Sequence, residues 1–241
     1  MFRSLGPVAR SLVNHRLAKP QAGLLWTSAS CNKQFSRRKT TQPGMDFNDG
    51  PLVWIDCEMT GLDYKKDKII EIAVLITNGT LDLVDEGIEY VIKTDKKYLD
   101  GMDEWCTEQH GRSGLTQSCL ESPYTHEFVS EKVLEYIKKW IPQERIGVLA
   151  GSSVYADRMF LAEGMPQVTD WLHYRDLDVS SIKELSRRWY GRRGIPPKSE
   201  SNHRALDDIK GSIQELKWYR ENIFVPPAAG LLPKAPSPPT K

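Results

Sequence analysis

The sequence predicts an α/β domain on a mixed five-stranded sheet, three antiparallel strands followed by parallel ones, with helices on its faces. Three features carry that prediction. Two apolar, β-branched runs are followed by a turn signal and a third short run, the pattern of an antiparallel meander. Beyond residue 100 helical spacing alternates with short apolar segments, as in a parallel sheet. Setting aside the basic first 45 residues leaves about 200, enough for one domain with a single sizeable core.

Each element follows from its residues. Leu52–Met59 (LVWIDCEM) and residues 68–77 (KIIEIAVLIT) have the composition of central strands. Asn78-Gly79 then marks a hairpin turn, and residues 87–93 (GIEYVIK) complete the meander. Residues 102–110 read as a short helix. Residues 127–141 place Phe128, Val133, Leu134, Ile137, Trp140 and Ile141 at helical spacing. A short buried strand over residues 147–151 precedes a helix over 157–163, and residues 173–178 form a fifth strand. Ser181-x-x-Glu184 supplies a capping box for a helix through Tyr190. Residues 204–224 close the domain with Leu206, Ile209, Ile213, Leu216 and Tyr219 on one helical stripe.

The formal charge of +1 averages two unlike segments. Residues 1–44 hold 8 of the 33 Lys+Arg and none of the 32 Asp+Glu, which leaves the remainder at −7. An acid-free, Arg- and Ser-rich start with Phe2, Leu5, Leu12 and Val13 on one helical face has the composition of a mitochondrial transit peptide, so residues 1–45 are expected to be a presequence. Arg10, Asn14, His15 and Arg16 interrupt the apolar core that a secretory signal needs. Met45 directly precedes the first acidic residue, Asp46, and initiation there would give a cytosolic or nuclear product without the leader. From residue 225 onward, 6 of the 15 prolines fall in 17 residues, composition for a disordered tail after a domain spanning residues 46–224. No apolar run approaches the length of a membrane-spanning helix, so no membrane partner is expected. Cysteines at 31, 57, 106 and 119 have no zinc-type spacing and are expected as free thiols.

Two acids stand inside the first strand, in Trp54-Ile55-Asp56-Cys57-Glu58. Residues i and i+2 of a strand share a face, so Asp56 and Glu58 project together from an apolar sheet. Like charges so placed raise each other's pKa and cost stability unless a cation lies between them. Oxygen ligands without a cysteine cluster point to Mg²⁺ or Mn²⁺. Asp157, after the Gly151-Ser152-Ser153 turn, and Asp208, five residues past His203 in NHRALDD, can converge on that pair.

The set Asp56-x-Glu58, Asp157, His203-x4-Asp208 resembles the DEDD exonuclease superfamily in its His-containing subclass. Within it, WIDCEMTGL, GSSVYADRMFL, LHYRDLDVSSIKEL and HRALDDI are similar to the oligoribonuclease family over residues 52–224. The resemblance implies a ribonuclease-H-like fold, a homodimer, and hydrolysis of short oligoribonucleotides, dinucleotides above all, from the 3′ end to 5′-mononucleotides. It further implies two divalent ions, about 3.5–4 Å apart in such sites, serving an in-line displacement at phosphorus. Asp56 would bridge them, Glu58 and Asp208 would complete one shell, and Asp157 would hold the other ion. His203 would be the general base, its unperturbed pKa lying near working pH. Glu71, also within a strand, is expected to support the site rather than join it.

Substrate contacts come from the same resemblance. Leu62 matches an apolar wedge between two bases, and Trp105 and His110 match residues that stack on or contact the 3′ nucleotide. Ser153, Arg175 and Ser180 match the group that caps a 5′ phosphate, with Tyr174 reaching over from the partner subunit. Two departures stand out: Gly151-Ser152-Ser153 replaces the family's Gly-Asn-Ser, and residues 191–202 follow no family pattern. A neighbouring reading, the same chemistry on longer RNA or single-stranded DNA, would need a cationic track, which a charge of −7 does not favour. A non-catalytic RNA-binding protein on the same fold would be expected to lack at least one of the five site residues, and all are present.

Overall fold

β1 (Leu52–Met59) and β2 (Ile69–Thr77) pair antiparallel in register from Leu52 opposite Thr77 to Glu58 opposite Glu71. Every residue of β2 is buried, which explains why its run is apolar apart from Glu71 and Thr77. These strands belong to a computed structural model that describes residues 44–197 and 204–225. All but residues 44–45 of the expected presequence, all but residue 225 of the Pro-rich tail, and His203 lie outside the described residues.

β3 (Ile88–Val91) pairs antiparallel with β2. The expected turn at Asn78-Gly79 is wider than a two-residue hairpin: Leu81 takes the left-handed conformation, φ 67°, and Leu83 bridges back to Thr77 before β3 begins. The Asn78 side chain accepts from the backbone N–H groups of Thr80 and Asp82, which directs the wider loop. Helices α1 (Lys96–Leu99), α2 (Glu104–Arg112), α3 (Leu115–Glu121) and α4 (His126–Trp140) lead to β4 (Val148–Gly151), which runs parallel to β1. After α5 (Tyr155–Gly164) and α6 (Pro166–Trp171), β5 (Asp176–Asp178) adds parallel to β4, followed by α7 (Val179–Tyr190) and α8 (Ala205–Asn222). The strand order is β3-β2-β1-β4-β5, the expected mixed sheet with β1 at its centre.

Alternation along β1 sorts the helices into two layers. Val53, Ile55 and Cys57 pack with Val129, Val133 and Ile137 of α4 and with Phe160 and Leu161 of α5. Leu52 and Trp54 face the opposite way, onto Ile209, Ile213, Leu216 and Tyr219 of α8. Trp54 is wholly buried there, and its indole N–H donates to Thr77 Oγ1 at 3.0 Å, so no polar atom is left unpaired. Truncation of such a residue to Ala costs roughly 3–5 kcal/mol. Period 2 therefore sends Asp56 and Glu58 toward the α8 layer.

The start of α7 differs from the Ser181 capping box. Asp178 is the N-cap, accepting from Ser180 N–H at 2.8 Å, because the residue that ends β5 can turn its carboxylate directly onto the first helical turn. Cys57, Cys106 and Cys119 are free thiols, as the spacing implied. No helix among the described residues is long and apolar enough to cross a membrane.

Candidate active site

Asp56, Glu58 and Asp208 converge: one carboxylate oxygen from each lies within 4.8 Å of the other two. β1 contributes the first pair through its alternation, and α8 contributes Asp208 from its first turn, where a negative charge is also favoured by the helix dipole. Asp157 comes from the opposite layer, in the first turn of α5, and is 5% exposed. Its Oδ1 accepts the N–H of Cys57 at 2.9 Å, so the backbone between the two strand acids holds the fourth.

Electrostatics set the cost of this arrangement. Burial, with Asp157, Glu58 and Asp208 adding repulsion, raises the Asp56 pKa well above the usual carboxylate range. Burial, followed by repulsion from Glu71, Asp208 and Asp157, pushes Glu58 up to about 8. Asp157 is pushed to about 7, again chiefly by burial, with the Cys57 N–H bond opposing. Such acids stay protonated near neutrality unless a cation compensates them. Three converging carboxylate oxygens on the rim of a dry core, with no thiolate or imidazole in the trio, fit a hard divalent cation.

Glu71 was expected to support the site rather than join it, and its partner Arg204 was not singled out in the sequence. Arg204 Nε lies 2.9 and 3.1 Å from the two oxygens of the wholly buried Glu71, and Nη2 lies 2.5 Å from Oε1. An acid amid IIEIAVLIT was the one available signal, since a buried carboxylate requires a partner.

Of the residues expected to contact substrate, His110 is the one shown to reach the acid cluster. His110 is buried, with Nε2 2.9 Å from Met59 O and Nδ1 3.9 Å from Glu58 Oε2. Trp105, on the same helix, is 63% exposed, which removes core packing as its role. Leu62 is 84% exposed on the loop after β1. That loop is drawn together by Asp67, which accepts from Thr60 Oγ1 and Asp63 N–H, and a Cβ on Gly61 would collide with the Asp67 carboxylate.

Across the sheet, Ser153 Oγ and Ser180 Oγ stand 3.2 Å apart. Ser153 adopts the left-handed conformation, φ 54°, and its N–H donates to Asp178 Oδ1 at 2.9 Å. Asp178 thus binds both serine amides, a role the sequence reading missed because the residue looked like an ordinary strand end. Tyr174 and Arg175, just before β5, are exposed, the guanidinium 5.1 Å from the Tyr174 ring centre. Ser152, in place of the family's Asn, pairs through Oγ with Ser212 Oγ of α8 at 2.9 Å and so ties the β4–α5 turn to that helix.

The exonuclease family model RNase_T matches residues 53–216. The chain is 46% identical over 179 residues to the oligoribonuclease of Hydrogenovibrio crunogenus, covering 74% of this chain and 97% of that protein. It is 48% identical over 174 residues to the mitochondrial oligoribonuclease of Homo sapiens, covering 72% and 73%. Among solved structures, Escherichia coli exonuclease I in complex with a 5cy-dT13 oligonucleotide superposes with a TM-score of 0.54 at 13% identity, over 72% of this chain and 40% of that one. At that identity the likeness concerns the fold alone.

Proposed function

The chain belongs to the RNase_T exonucleases, in the oligoribonuclease branch that degrades short oligoribonucleotides from the 3′ end, and from that premise we propose how its own residues do so. The observation that carries the proposal is the convergence of Asp56, Glu58 and Asp208 within 4.8 Å, with Asp157 held beside them by the Cys57 amide. These four carboxylates would hold two divalent ions, Mg²⁺ or Mn²⁺. Bound there, the pair supplies charge neutralisation at the scissile phosphate and a polarised water.

The protein's residues do the rest. Leu62 and Trp105, both exposed, offer apolar and aromatic surface for the two bases of a dinucleotide, and stacking of this kind tolerates any sequence. His110 is fixed by the Met59 carbonyl and presents its buried ring to the edge of the acid cluster. Ser153, Ser180 and Arg175 form the receptor for the 5′ phosphate, the serines pre-oriented by Asp178 and the guanidinium suited to a bidentate contact. His203 takes the proton of the attacking water as general base, and the product is a 5′-mononucleotide. The reading includes a homodimer in which Tyr174 of each copy covers the phosphate receptor of the other. It also includes a mitochondrial address in residues 1–45, supported by composition and by the mitochondrial relatives.

The test is a time course on 5′-labelled RNAs of graded length, from dinucleotide to decamer, with Mg²⁺, Mn²⁺ or EDTA. Fastest turnover of the dinucleotide, stepwise loss from the 3′ end and no turnover in EDTA are expected. Rates that rise with length would replace this reading by a polymer-processing one.

A further inference from the structure

Glu71 is a buried carboxylate that the proposed chemistry does not use. It stands on β2 directly opposite Glu58, on the face shared with Ala73 and Leu75 that packs against α8. It is not one of the three converging metal-site carboxylates. Its bonds go instead to the first residues of α8. Arg204 engages both oxygens through Nε, at 2.9 and 3.1 Å, and Oε1 again through Nη2. The Ala205 N–H donates to Oε2 at 3.3 Å.

α8 has no side-chain cap of its own at Arg204, so a carboxylate from another strand satisfies a first-turn amide that the helix leaves open. The Arg204 carbonyl in turn accepts from the N–H groups of Asp207 and Asp208, at 3.0 and 3.1 Å. A continuous chain of short bonds therefore runs from the β2 residue facing Glu58 to the backbone of Asp208.

Apolar packing alone would not fix that register. The stripe Ile209, Ile213, Leu216 and Tyr219 keeps α8 on the sheet, but non-directional contacts allow small slides and rotations. Metal ligands need distances held to within about 0.2 Å. A planar guanidinium locked bidentate on a rigid strand supplies direction as well as attachment. An ion pair with one wholly buried partner is also a poor source of net stability, so an acid kept inside an otherwise apolar strand calls for another purpose.

We propose that Glu71 and Arg204 are positioning residues: together they clamp the first turn of α8 so that the Asp208 carboxylate meets Asp56 and Glu58, and they anchor the residue that covalently follows His203. The inference rests on the metal-dependent reading above, and the experiment separates the two. The informative variant is the double replacement Glu71→Leu with Arg204→Leu, which removes both charges and leaves none orphaned. Its melting temperature is expected to stay near or above that of the parent. Mn²⁺ affinity by titration calorimetry and kcat on a dinucleotide are each expected to fall roughly 10–100-fold. KM should change by less than about threefold, because Leu62, Trp105 and the phosphate receptor are untouched.

A well-folded double variant with parental Mn²⁺ affinity and kcat would overturn the clamp and leave the pair a purely structural feature. Should that variant fail to fold, Arg204→Lys keeps the positive charge but loses the planar fork. A drop in Mn²⁺ affinity and kcat at constant KM supports the clamp, and parental values overturn it. A parent protein that neither binds Mn²⁺ nor hydrolyses dinucleotides would instead sink the metal-dependent reading itself.

Discussion

Glu58 and Asp157 carry the clearest consequence at the scale of single residues. Both sit above their unfolded values, at about 8 and about 7, with burial the first cause in each. The folded protein therefore holds more protons than the unfolded chain between about pH 4 and pH 8, so metal-free stability is greatest at the acidic end and falls as pH rises. The melting temperature in EDTA should drop from pH 5 to pH 8, and Mn²⁺ should raise it more at pH 8 than at pH 5. Asp208→Asn should abolish hydrolysis yet raise the metal-free melting temperature at pH 8, by about 2–4 °C for each kcal/mol of repulsion relieved. A melting temperature in EDTA indifferent to pH would remove the buried acid cluster from the account. Asp56 and Glu58 were legible because two charges inside an apolar strand break a rule that period 2 makes visible. Asp178 was not, because its value lies in accepting two amides from residues distant in sequence, and no spacing rule encodes that.

Among the elements, β1, β2 and α8 followed directly from composition and periodicity. The short helices α1, α3 and α6 did not, since segments of 4, 7 and 6 residues offer too few turns for an apolar stripe to show. α7 poses a different problem. Leu185 and Trp189, four apart, form an apolar stripe that the core does not cover, being 44% and 67% exposed, with Tyr190 beside them. Contiguous exposed apolar surface on a single chain marks a docking face, and a second copy is the partner proposed here. Light scattering on the full chain should give twice 27.5 kDa, and Trp189→Glu should return the mass to one chain. A parent mass of 27.5 kDa would exclude the dimer.

The whole molecule divides by charge before it divides by fold. Eight positive charges and no acid in residues 1–44 suit an electrophoretic import signal, whereas −7 on the remainder suits an enzyme whose substrate carries only one or two phosphates. A fluorescent protein carrying residues 1–45 should accumulate in mitochondria, with N-terminal sequencing showing the leader removed. Diffuse cytosolic fluorescence would sink that address. The same fusion begun at Met45 should remain outside.

Placement of β1 third of five strands has one more effect. Val53, Trp54 and Ile55 are wholly enclosed, paired to β2 along their length and to β4 through Val53 and Trp54, so their amides exchange with solvent only when the entire sheet opens. Asp56 and Glu58 ride on that same backbone. The carboxylates proposed to hold the metal thus sit on the strand with the deepest pairing, and on heating the activity is expected to be lost in step with the global structure.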